Sequence, residues 1–81
     1  MAALSNFRRN LRRAMEARGL SQRDVATKAD MSYPYVNRVL QGKTVPSVPQ
    51  AERLAKTTGL TLRDLIQSPK DFSQLLLTIV A

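Results

Sequence analysis

The chain has 81 residues, with 13 Lys and Arg against 6 Asp and Glu, a net charge of +7, and neither Cys nor His. That length makes one domain with a modest core. The missing residue types exclude disulfides, thiolate metal sites and the commonest general base and metal ligand. No apolar run approaches the roughly 20 residues of a membrane span and the N-terminus lacks a signal peptide's apolar core, so the sequence reads as cytoplasmic.

The positive charge is unevenly placed. Residues 1–31 carry seven basic and three acidic side chains, residues 32–67 carry five and two, and residues 68–81 carry only Lys70 and Asp71. A basic body suggests a polyanionic partner, and the neutral end suggests a different task. There is no period-two alternation, hairpin dipeptide or internal repeat, so the expectation is an all-α chain.

The first helix is expected from Ser5, as N-cap, to Arg18. Phe7, Leu11, Ala14 and Met15 recur at helical spacing, Arg8, Arg9, Arg12 and Arg13 lie on the other side, and Gly19 stands where a terminating glycine belongs. The second helix opens on Ser21, with Asp24 completing a capping box, and has a narrow face of Val25, Ala26 and Ala29. Asp30-Met31 is a break. Ser32 caps a third helix, Tyr33 to Leu40, that turns Val36, Val39 and Leu40 inward and ends at Gly42. Pro34 falls at a first-turn position whose amide has no partner in the helix, so the proline stiffens the start without breaking it.

After the loop "GKTVPS", Ser47 with Gln50 caps a fourth helix reaching Thr57, with Ala51, Leu54 and Ala55 inside and Gly59 beyond its end. Thr61 with Asp64 opens a short fifth helix with Leu62, Leu65 and Ile66 inward. Ser68-Pro69 opens a sixth, striped by Phe72, Leu75, Leu76, Ile79 and Val80. This apolar stripe either folds back on helices one and five or forms a two-fold dimer interface, and one helix can do both.

Two consecutive helices joined by a short break, the second with a polar outer face, make a helix-turn-helix pattern over about residues 21–41. The stretch "GLSQRDVATKADMSYPYVNRVLQGK" resembles the Cro/phage-repressor-type (XRE) helix-turn-helix family. The resemblance rests on Gly19-Leu20-Ser21-Gln22, Ala26, Ser32, Val36, Val39 and Gly42-Lys43, and "PSVPQAERLAKTTGLTLRDLI" extends it to about residue 67. It implies a five-helix, lambda-repressor-like bundle over residues 1–67, with 68–81 as an added apolar helix. Two positions depart from the family. Asp30 stands where a glycine usually turns the chain. Met15 and Leu40 stand where an Arg–Glu pair is common, an apolar exchange a core tolerates, and the two are expected to touch.

The resemblance further implies that the start of the third helix enters a DNA major groove. Tyr33, Pro34, Asn37 and Arg38 are then candidates for base contacts. Arg38 suits guanine through two hydrogen bonds, Asn37 suits adenine, and Pro34 is limited to apolar contact such as a thymine methyl. Gln22, Arg23, Tyr35, Gln41, Lys43 and Thr44 are candidates for phosphates, with Arg8, Arg9, Arg12 and Lys28 behind them. The expected function is a sequence-specific, repressor-like transcriptional regulator that binds a palindromic operator as a homodimer through Phe72, Leu75, Leu76, Ile79 and Val80. No cofactor, metal, membrane or catalytic role is expected. Stand-alone regulators of this size include phage repressors, restriction–modification controllers and antitoxins, and an N-terminal domain of a longer protein would read alike. The alternative is a protein-interaction module, of a toxin–antitoxin or similar complex, built on the same fold.

Overall fold

Helix α1 (Ala2–Arg18) starts before the Ser5 cap that the sequence suggested. Ala2, Ala3 and Leu4 are good helix formers, so the first turn forms upstream and Ser5 sits inside it. The structure is a computed structural model that describes residues 2–80, apart from the side chains of Ile79 and Val80. Five further helices follow: α2 (Gln22–Ala29), α3 (Tyr33–Leu40), α4 (Val48–Thr57), α5 (Leu62–Leu65) and α6 (Pro69–Val80). No strand occurs among the described residues.

The boundaries are set by local chemistry. At the end of α1, Gly19 takes φ +66° and the Leu20 amide donates back to the Met15 carbonyl at 2.8 Å. Ser21 and Asp24 exchange hydrogen bonds at the start of α2, as do Ser47 and Gln50 at α4 and Thr61 and Asp64 at α5. Ser32 accepts from the Tyr35 amide at the start of α3, and Ser68 from the Asp71 amide at 3.2 Å at the start of α6. Each cap satisfies amides that have no partner within the helix.

Helix α1 is the hub. It packs against α3, α5 and α6, while α2 packs against α3 and α4. Phe7 and Leu11 from α1 meet Val25, Val36, Leu54 and Leu65 in one core. Met15 and Leu40 are both buried there and line one shallow depression.

Two assignments are corrected. Ile66 is 41% exposed. It is the residue after a one-turn helix, so it leaves the inward face that Leu65 occupies. Phe72, read as part of a dimer surface, is 0% exposed and belongs to the chain's own core. It has no surface to offer a second copy.

The end of α5 and the start of α6 are held to α1 by polar ties as well. Asn10, itself buried, donates to the Leu65 and Gln67 carbonyls, both at 2.8 Å. Arg13 donates to the Pro69 carbonyl at 3.2 Å and to Ser73 at 2.8 Å, and lies 5.6 Å from the Phe72 ring centre. These bonds satisfy carbonyls around the α5–α6 junction.

Candidate nucleic-acid interface

The turn between α2 and α3 depends on Asp30, which adopts a left-handed backbone (φ 57°, ψ 49°). The Asp30 amide donates to the Ala26 and Thr27 carbonyls, and the Met31 amide to Ala26 at 2.9 Å. The terminating bonds a glycine would have made are thus present with an aspartate. Arg53, from α4, donates to the carbonyls of Ala29 and Asp30 and holds the turn from outside.

From this turn α3 projects with Val36, Val39 and Leu40 buried and Tyr33, Pro34 and Arg38 exposed. Pro34 occupies the first turn. Asn37 is half-buried, and its Nδ2 donates to Gln22 Oε1 on α2 at 2.8 Å. The Gln22 amide nitrogen remains a donor beyond that bond. Gln22 therefore braces α3 through Asn37 while keeping donors to offer outward. The Arg23 guanidinium stands 4.6 Å from the centre of the Tyr33 ring, and Arg38 stands 6.0 Å from that of Tyr35. The first is a close cation–π pair, and the second lies at the outer limit of such contacts.

Tyr35 departs from its assigned role. It is half-buried against the core and its hydroxyl donates to Gln50 Oε1 at 2.6 Å. The proton needed to bind a phosphate oxygen is already given away. Tyr35 serves here as a strut between α3 and the start of α4, where Gln50 also accepts from the Ser47 amide at 3.1 Å.

Beyond α3, the Gly42 amide donates to Val39 and the Lys43 amide to the Arg38 carbonyl at 2.9 Å, with Gly42 at φ +79°. Gln41 and Lys43 are exposed at this corner and Thr44 is half-buried. The neighbouring α1 supplies Arg8 and Arg12. Arg12 donates to the Leu40 carbonyl at 2.8 Å, and Arg8 lies against Gly42 so closely that a β-carbon there would collide with it. Arg8, Arg9 and Arg12 line one surface depression with Ser5. The α3–α4 corner is thus ringed by cations from two elements.

Among the described residues no cluster of three or more His, Cys, Asp or Glu gathers, and no helix is long and apolar enough to cross a membrane. Asp24 is the acidic member of the capping box that opens α2. Its hydrogen bonds from the Ser21 backbone and side chain hold its carboxyl below the usual 3.8, with Lys28 adding to the effect. The proposed base contacts Tyr33, Pro34, Asn37 and Arg38 share α3, with Gln22 and Arg23 on α2 brought alongside by direct contacts. Arg9, Lys28 and Thr44 make no described bond to this group.

Sequence reading overlooked the bracing residues. Gln50 was legible as half of a capping box, but its bond to Tyr35 spans 15 positions and no spacing rule announces it. The Arg12–Leu40 bond, across 28 positions, is equally silent because its acceptor is main chain.

A family model described as a helix-turn-helix domain matches residues 6–67. The HTH-type transcriptional regulator DdrOP3 of Deinococcus deserti is 39% identical over 57 residues, covering 70% of this chain and 44% of that relative. The chain thus spans less than half the length of the relative it matches. With its capped α2, its left-handed turn at Asp30 and its braced α3, the chain belongs to the helix-turn-helix domain family, of the Cro/phage-repressor type that its motif resembles.

Proposed function

We propose that this chain is a DNA-binding transcriptional regulator that inserts the start of α3 into the major groove. The observation that carries the reading is the outward face of α3: Tyr33, Pro34 and Arg38 stand exposed on a helix braced by Gln22, Gln50 and Arg12. A fixed helix with an uncommitted polar face costs little ordering on binding. Arg38 and Asn37 read base edges, Tyr33 and Pro34 add apolar contact, and Gln22, Gln41, Lys43 and Thr44 take phosphates.

The site acts as a homodimer on a palindromic operator in the cytoplasm, and it represses by occupancy. Support for pairing comes from α6, where Leu75 and Leu76 are half-buried and Leu77 is 72% exposed, in a segment without net charge. Two such faces associate without the repulsion that the basic body would create. Ile79 and Val80, also assigned to this surface, have side chains outside the described residues.

Selection of bound duplexes from random DNA tests the reading. The expected product is a motif of two inverted half-sites with centres about 10 base pairs, or a multiple, apart. Recovery of unrelated sequences, or binding that is insensitive to salt, would favour a protein-interaction module instead.

A further inference from the structure

Arg23 lies on α2, one residue past Gln22, and a cation there ordinarily suggests a phosphate contact. Its placement indicates something narrower. The guanidinium stands 4.6 Å from the Tyr33 ring centre, and Tyr33 is the first residue of α3. Both residues are exposed, with Tyr33 at 37%. The cation–π pair therefore faces solvent beside the groove-entering end of α3.

A phosphate accepts hydrogen bonds from many directions and is served by any mobile cation. Guanine is more demanding, because O6 and N7 lie in the base plane and match a fork of two parallel N–H donors. Contact with an aromatic face restrains a guanidinium without committing its N–H groups to a hydrogen-bond acceptor, so donors stay free. Tyr33 is in turn fixed at its root: Ser32 caps the helix and Pro34 locks the next φ. The pairing of Arg23 with Tyr33 also parallels that of Gln22 with Asn37, each joining an α2 residue to an α3 residue of the reading face.

Resting on the DNA-binding reading above, we propose that Arg23 is a specificity residue: paired with Tyr33, it reads a guanine in each half-site from α2, as a second reader beside Arg38. The half-site then contains two separable guanine preferences, one lost with each arginine. Tyr33 acts here as the platform, through its ring and not through its hydroxyl.

Parallel selections from random duplexes, with the full chain and its variants, test this. Arg23→Lys keeps the charge but lacks the planar fork, and is expected to lose about tenfold or more of the guanine preference at one position per half-site while binding other positions as before. Tyr33→Phe keeps the ring and the preference. Tyr33→Ala loses the same position, and the Arg23→Lys/Tyr33→Ala double variant loses no more there than either single variant. Equal weakening of Arg23→Ala on every sequence, with a shallower salt dependence, would make Arg23 a phosphate contact and overturn the proposal. An unchanged motif in Arg23→Lys would overturn it as well. A wild-type chain that selects no motif overturns the DNA-binding reading and this proposal together, so the two failures are distinct.

Discussion

Asp30 holds a left-handed backbone at the pivot of the motif, and the arrangement depends on a short side chain there. Replacing it with valine puts a β-branched residue where only glycine and, less readily, Asn or Asp are comfortable. Asp30→Val should lose about 1–3 kcal/mol of stability in urea titration. On the reading face the expected outcomes divide by chemistry. Arg38→Ala should cost about 1–3 kcal/mol of binding and relax preference at one base position, whereas Lys43→Ala should weaken all duplexes alike. Competition binding against single-base operator variants separates the two. Asp24 contributes a pH dependence whose sign follows from its lowered pKa. A carboxyl that is more acidic when folded stabilises the fold at pH above its unfolded value near 3.8, and the contribution is lost as pH falls through the lower folded value. Acid unfolding of Asp24→Asn should lack that component, which thermal melts across the acidic range would show. The Asp30 turn could be read in advance, because a tolerance for left-handed φ belongs to the residue itself. The commitment of Tyr35 could not, because its partner Gln50 is brought to it only by the packing of α4.

At the scale of elements, the capping boxes at Ser21, Ser47 and Thr61 were legible because each needs two residues three positions apart. Their helices therefore began where the sequence placed them. The start of α1 was misplaced for the converse reason: Ser5 has the chemistry of a cap, but Ala2, Ala3 and Leu4 propagate helix through it. Periodicity identified the apolar stripe of α6 without saying which of its residues face the same molecule. Phe72 goes to the core and Leu77 to solvent, a division set by where α1 lies. Phe72→Ala should consequently cost about 3–5 kcal/mol. Because Phe72 is the one fully buried apolar residue described on α6, the loss should show first as faster amide exchange in α6, ahead of α2 and α3. Exchange that accelerates equally in all helices would mean that α6 and the motif unfold as one unit.

For the whole molecule, charge and shape set two separable tasks. The basic body, with a chain-wide charge of +7, is expected to give binding that falls linearly in log[salt], with a slope of about −0.9 for each phosphate engaged. The apolar end is expected to be indifferent to salt. Leu77, at 72% exposure, reports on the second task alone. Leu77→Glu should shift sedimentation toward the monomer and weaken binding to the full operator, with unfolding unaffected within about 0.5 kcal/mol. Pairing unchanged by Leu77→Glu would place the interface elsewhere.

Four of the residues that make long-range ties share one trait: Arg12, Arg13, Asn10 and Arg53 reach for main-chain oxygens at Leu40, Pro69, Leu65 and Ala29. A main-chain oxygen is supplied by whichever residue occupies the position. Helix α3 can therefore exchange its outward side chains with little effect on the Arg12 tie that holds its end. On the proposed DNA-binding reading, new sequence preferences are expected to be accessible by substitution on this scaffold at little cost in folding, so divergence of the α3 face need not await compensating changes in α1 or α4.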